Sequence, residues 1–266
     1  MLLGPPSVVS HRHESGSGAL PPRAPLTVEC DAGSLVAREP AEPRPADAAK
    51  VGSAMDMETN RESPKTEDLR IVPANQASST DLDLVFGSRG TAWDCQCQWF
   101  QNPGKAFDAL SVQERAHDLR TQTLCGMPDA PSTSGLVAYL GDEPVGWCAV
   151  EPRTAYPRLR TSRVTYGGRD EDTDDAGVWA AVCFVTRTGF RRRGVSRALA
   201  AAAVDFARSR GARALEGYPL LLPEGKSPMW GELYVGSRAI FADAGFREVG
   251  HPTPRRFVMR IDFEKP

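Results

Sequence analysis

The sequence predicts a mixed α/β domain over residues 67–266. Two patterns carry that prediction: an antiparallel hairpin over 136–150, and a strand–loop–helix–strand unit over 178–218. A third observation sets the boundary, since all twenty Phe, Trp and Tyr residues lie at or after Phe86.

Residues 1–66 hold no aromatic residue and nine of the 22 prolines. Such a stretch cannot bury enough apolar area to offset its ordering entropy. It is expected to be a disordered tail, or to lie upstream of a true start at Met55 or Met57. The formal net charge of -2 argues against a globally basic nucleic-acid binder. No apolar run approaches the ~18 residues needed to span a bilayer. Six cysteines in 266 residues are too few for a disulfide scaffold. They read as buried thiols of a reducing compartment, the cytoplasm.

In order along the chain, Leu69–Val72 is a short strand stopped by Pro73. Ser79–Phe86 is a helix capped by Ser79 or Thr80. Trp93–Trp99 alternates apolar and polar, which predicts a strand with Trp93, Cys95, Cys97 and Trp99 on one face. Ser111–Cys125 is a helix with Ser111 as N-cap, Glu114 completing a capping box and Gly126 at its end. Leu136–Leu140 and Val145–Val150 flank a Gly141–Pro144 turn, and Gly167–Asp175 is a polar loop. Val178–Val185 is nearly all apolar and reads as a central strand buried on both faces. An Ala-rich helix covers Val195–Arg210 and stops at Gly211. The strand Ala214–Tyr218, the loop Leu220–Gly231, a short helix Ser237–Ala244 closed by Gly245, and two strands, Phe246–Val249 and Arg256–Ile261, complete the domain.

The chemistry concentrates in Val182–Leu199, where a buried strand runs into a loop with Arg187, Arg191, Arg192 and Arg193, and Gly194 opens a helix. Amides at a helix start lack internal partners, and the helix dipole adds positive potential there. A glycine admits a bulky anion close to the backbone, and arginines add charge-assisted hydrogen bonds. Together these features fit a phosphate or pyrophosphate cradle, with a solvated basic turn as the plain alternative. Gly225-Lys226-Ser227 ends like a P-loop, but Leu220 stands where that motif needs glycine. What remains is Arg191-x-x-Gly194-x-Ser196.

That segment resembles motif A of the GNAT superfamily of acetyl-CoA-dependent N-acetyltransferases, [QR]-x-x-G-x-[GA]. The first strand, the central hairpin and the late helix Ser237–Phe246 are similar too, so the resemblance covers about residues 67–263. Actinobacterial-type members with a Trp/Cys-rich early strand look most similar. The resemblance implies the GNAT fold, a central, mixed but mostly antiparallel twisted sheet with splayed strands flanked by helices, and acetyl-CoA as the acetyl donor. It implies that Phe184, Val185 and Thr186 bind the pantetheine, and that Arg191, Arg192, Arg193, Gly194, Val195 and Ser196 hold the pyrophosphate. A primary amine of a small molecule or protein would attack the acetyl group directly in a ternary complex. The implied partners are acetyl-CoA and an amine acceptor, with no nucleic acid, no membrane and no metal; a homodimer stays open.

The chain departs from the family at Ser196, in place of Gly or Ala, and at Phe241, where the family often has an acidic Tyr. Tyr234, which stands in place of a usual Asn, and Tyr218 are the substitute acids. Glu216 is the candidate general base, or else a structural carboxylate paired with an arginine. Glu232 is a second base candidate, with a surface charge as the alternative. His117 reads as an exposed helix residue before it reads as part of an acceptor wall. The spacing of Cys95, Cys97, Cys125 and Cys148 is poor for zinc, and Cys183 as an acyl carrier would depart from the family's direct attack. Trp93, Trp99 and Phe100 read as core, or else as part of an acceptor wall, and Leu220–Gly231, with Trp230, as a lid or an acceptor-specificity loop. Phe241 also keeps a non-enzymatic alternative alive, a CoA-binding regulatory module. A nucleic-acid-binding module would rest on the arginine loop alone.

Overall fold

A computed structural model describes residues 69–221 and 230–264. The expectations for 1–66 and for most of the Leu220–Gly231 loop lie outside the described residues. Seven strands form one sheet in the order β1-β2-β3-β4-β5-β7-β6. They are β1 (Leu69–Pro73), β2 (Gly135–Leu140), β3 (Glu143–Pro152), β4 (Val178–Thr186), β5 (Ala214–Gly217), β6 (Arg247–Thr253) and β7 (Arg256–Asp262). Every pairing is antiparallel except β4 with β5, which is parallel. That pair needs a crossover, and the helix α7 between them supplies it.

The early helices are α1 (Ser79–Phe86), α2 (Thr91–Cys95), α3 (Lys105–Ala109) and α4 (Val112–Thr123). They precede α5 (Pro157–Arg160), α6 (Arg163–Tyr166), α7 (Val195–Ser209) and α8 (Arg238–Asp243). α1 and α4 each start with a capping box, Ser78 with Asp81 and Ser111 with Glu114. The cap of α1 is thus Ser78, one residue before the expected Ser79. Turns α5 and α6 fill a stretch that carries no periodicity in the sequence.

One expectation is corrected. Trp93–Trp99 is not a strand: α2 runs to Cys95, and Gln96 and Cys97 take left-handed φ values of 47° and 58°. The alternation lacks a strand to pair with. Instead Trp147 Nε1 donates to Cys97 Sγ at 3.3 Å, and Arg115 Nη1 donates to the Asp94 carbonyl at 2.6 Å. Tertiary contacts override a short period-2 pattern.

The sheet buries a core on each face. Leu199, Ala203 and Phe206 of α7 pack with Val145, Phe184, Leu215, Phe241 and Phe246. On the other side Leu82, Val85 and Phe86 of α1 pack with Trp147, Tyr156, Val182 and Tyr218. β4 is buried on both faces, as its unbroken apolar run predicts. Among the described residues no helix is long and apolar enough to cross a membrane.

The feature that makes a site is where pairing stops. β4 pairs with β5 only through Val178↔Ala214 to Ala181↔Gly217, then continues to Thr186 along β3 alone. Val182–Thr186 therefore present an edge that β5 does not cover. Gly217, at the last rung, lies under the Phe241 ring, and a Cβ there would sit 2.2 Å from that ring. Gly217→Ala is expected to cost about 1–3 kcal/mol through overpacking. Thermal unfolding would then show a lower Tm, whereas an unchanged Tm would mean the ring can move aside freely.

Candidate active site

Two clefts open where β4 leaves β5. The larger, of about 1140 Å³, runs from α1 and the 87–93 loop to the end of β4, and is lined there by Val185, Thr186, Arg187, Thr188 and Arg191. The smaller, of about 530 Å³, reaches the crotch of the splay at Val182, Cys183 and Tyr218. Thr91 and Tyr234 line both clefts. Their hydroxyls lie 2.9 Å apart, so one hydrogen bond marks the junction.

Beyond Arg191 the chain turns through two left-handed residues, Arg192 at φ 63° and Gly194 at φ 78°. Gly194 caps α7 without any side-chain hydrogen bond, so the first amides of a 15-residue helix have no cap partner. Arg192 and Arg193 are exposed. Arg187 is not part of this cradle: its Nη1 donates to Glu143 Oε2 at 2.5 Å and to the Pro144 carbonyl at 3.3 Å, fastening the loop to the hairpin turn. Ser196, the departure from the motif, has its Oγ 3.1 Å from Thr186 Oγ1. The hydroxyl joins the helix start to the end of β4, which accounts for a small polar residue there.

Glu216 is fully buried and lines neither cleft. It accepts hydrogen bonds from Arg153 Nη1 at 3.1 Å, Arg169 Nη2 at 2.5 Å, Arg260 Nη1 at 2.8 Å and Tyr218 OH at 2.8 Å. Burial opposes its ionisation, but the arginines and the tyrosine outweigh burial and hold its pKa below the usual 4.5. A carboxylate so held fits the structural one of its two readings better than the general-base one. Tyr218 lines the smaller cleft, but its proton is committed to Glu216, and burial pushes its pKa far up.

Tyr234 sits at the junction on the 3-10 turn Trp230–Val235. Glu232, on the same turn, lines the smaller cleft and pairs with Arg255 at 2.9 Å. Phe241 is fully buried, edge-on to Phe184 at 5.6 Å and Phe246 at 5.1 Å. A phenol at this position would need a polar partner that these rings do not offer. His117 is exposed and lines neither cleft. Trp99 is 46% exposed and forms part of the cleft wall, not the core.

Cys183 lines the smaller cleft, but its hydrogen bond with Cys97 and its burial push its thiol pKa well up, which disfavours the thiolate that acyl transfer would require. Among the described residues no group of three or more His, Cys, Asp or Glu is placed to hold a metal. The sequence reading missed Glu151, whose carboxyl burial pushes up to about 7 against a hydrogen bond from Gln101. It lines neither cleft. It also missed Arg115, Arg158 and Arg256, which line the smaller cleft and carry no motif.

The central strands of the sheet thus part beside a glycine-capped helix start. Residues 97–217 of this domain match the model of the acetyltransferase (GNAT) family. Its fold is the GNAT fold, and acetyl-CoA is the donor that family uses. No curated protein sequence matches the chain. Among solved structures, a putative acetyltransferase, yncA, from Salmonella typhimurium, determined with acetyl-CoA, is 12% identical. The match covers 75% of this chain and 96% of that one, with a TM-score of 0.43. A GCN5-related N-acetyltransferase from Kribbella flavida is 19% identical over 74% of this chain and 99% of that one, TM-score 0.41. A ribosomal-protein-alanine N-acetyltransferase from Brucella melitensis is 16% identical over 73% and 99%, TM-score 0.41.

Because Glu216 has a lowered pKa, its stabilisation is present above the unfolded value of about 4.3 and fades as pH falls through the folded value. Glu216→Gln is expected to cost about 3–5 kcal/mol at neutral pH, since it strands buried guanidinium charge. Denaturant unfolding at pH 7 and at pH 3 checks this: the gap between variant and wild type should shrink in acid. A variant as stable as wild type at pH 7 would return Glu216 to the list of candidate bases.

Proposed function

We propose that the protein transfers the acetyl group of acetyl-CoA to a primary amine by direct attack in a ternary complex. The observation that carries this is the meeting of two clefts at the Thr91–Tyr234 hydrogen bond, beside the uncovered edge of β4. The larger cleft borders the Arg191 side of the motif loop and serves as the donor arm. The smaller cleft is the acceptor side.

The residues present fit the donor. The uncovered edge at Phe184, Val185 and Thr186 offers main-chain groups to the amides of the pantetheine. The amides of Val195 and Ser196, opened by Gly194 and flanked by Arg191, Arg192 and Arg193, suit a pyrophosphate. When bound, acetyl-CoA supplies an activated acetyl thioester.

An amine must be neutral to attack, so a proton has to leave it. Glu232 is the carboxylate placed for this in the acceptor cleft, and its bond to Arg255 fixes its position. Tyr234, two residues on, has its hydroxyl at the junction and is the acid that can meet the departing sulfur. Tyr218 orients the floor of the cleft through Glu216. Phe241, which cannot donate a proton, is sealed in the core, so the acid role moves to the neighbouring turn.

Tyr234→Phe is expected to lower kcat roughly 10²-fold, the low end for general acid catalysis because a thiolate leaves readily. Acetyl-CoA affinity should stay as in wild type. The assay is amine-dependent release of CoA thiol. Full kcat in this variant would remove Tyr234 as the acid. Tight acetyl-CoA binding with no release for any amine would favour a CoA-binding regulatory module instead.

A further inference from the structure

We propose that the acceptor is an amine that also carries a carboxylate, a small amino-acid-like molecule held by Arg158, Arg115 and Arg256. This inference rests on the transferase reading above. Three guanidiniums line an otherwise largely apolar cleft of about 530 Å³, a size suited to a small molecule.

Two of them bracket an aromatic pair. Arg158 lies over the Trp99 ring at 3.7 Å, Trp99 meets Phe107 edge-on at 5.2 Å, and Arg115 lies over Phe107 at 4.0 Å. Main-chain carbonyls hold both arginines in place: Trp99 and Asn102 for Arg158, Asp94 and Phe107 for Arg115. Arg256 faces them from β7, with Nη1 on the Tyr218 carbonyl at 3.3 Å. Carbonyls fix a guanidinium without neutralising it.

Among the described residues, none of the three arginines has a carboxylate within 4.0 Å. Of the nearby acids, Asp94 lines the cleft and is exposed, Glu232 pairs with Arg255, and Asp108 and Glu232 act on Arg158 and Arg256 only at longer range. The contrast with the Glu216 network is informative. There Arg153 and Arg260 are buried, and their carboxylate partners raise their pKa overall, whereas Arg158 and Arg256 are only partly buried. At Arg158 and Arg256 burial prevails and the pKa is lowered. Among the described residues, these positive charges, fixed by carbonyls beside an aromatic wall, have no counter-ion within 4.0 Å. A carboxylate supplies one, and arginine takes it in a two-pronged geometry. Glu232 then faces the amino group of the same molecule.

The test is a set of matched acceptors assayed on the whole chain by CoA-thiol release: phenylalanine against phenethylamine, methionine against 3-(methylthio)propylamine, and glycine against methylamine. The acid of the preferred pair should exceed its decarboxylated partner in kcat/KM by at least roughly 10²-fold. Arg256→Gln and Arg158→Gln should each raise the KM for that acid roughly tenfold or more and narrow the acid-to-amine ratio. The acetyl-CoA Kd serves as the folding control for each variant. Equal or better use of the decarboxylated amines overturns the inference, and so does the absence of saturable turnover for every acid. Acetyl-CoA titration, run separately, shows whether the transferase reading itself has failed.

Discussion

β4 outruns β5, and the rest of the site depends on that mismatch. Four rungs of parallel pairing, ending at Ala181 and Gly217, hold the two halves of the sheet together. Past them β4 continues for five residues with β3 on one side and no β5 on the other. A strand edge inside a fold must have its polar groups met by something, and here a ligand can meet them. The same mismatch delivers Arg191 to Ser196 to the mouth of the gap, because α7 must begin where β4 ends. It also brings the 3-10 turn Trp230–Val235 against the open stretch, with Tyr234 where the clefts join.

Charge is handled in two opposite ways on either side of this gap. Beneath Tyr218, Glu216 is surrounded by Arg153, Arg169 and Arg260, and Glu171 bonds to all three of those arginines. The network ties the polar 167–175 loop to β5 and β7 at the last rungs before the splay. Glu216 and Arg153 at its centre are buried and paired, the condition under which buried charge is tolerated. In the cleft above, Arg115, Arg158 and Arg256 are fixed by carbonyls and, among the described residues, make no ion pair within 4.0 Å. One cluster locks the scaffold, and the other waits for a partner from solution.

Much of the fold was legible because it rests on local physics. The β4 run of apolar residues, the Ser111 capping box and the Gly194–Gly211 limits of the Ala-rich helix each have a reason within a few residues. The Trp93–Trp99 stretch was misread because two left-handed residues, Gln96 and Cys97, are set by distant contacts with Trp147 and Arg115. The motif loop was legible as a strand-to-helix turn, since Gly194 stands where the apolar strand ends and the Ala-rich helix starts. The clefts were not. Their walls come from α1, α2, the 99–107 loop, α4, β4, the 3-10 turn and β7, and no spacing in the sequence brings Arg158 next to Trp99 or Arg256 next to Tyr218. Glu216 shows the same limit: a lone Glu on a strand admits a base or a scaffold ion, and only its three arginine partners decide.

The most direct measurement is calorimetric titration of the whole chain with acetyl-CoA, with ATP as comparator, for wild type and for Gly194→Trp. An indole at the left-handed residue that opens α7 would cover the helix start, while circular dichroism reports whether the domain still folds. Saturable acetyl-CoA binding by wild type, weaker ATP binding, and loss of acetyl-CoA binding in the folded variant are the expected results. Equal acetyl-CoA binding by wild type and variant, or none by wild type, would contradict a donor site at the start of α7.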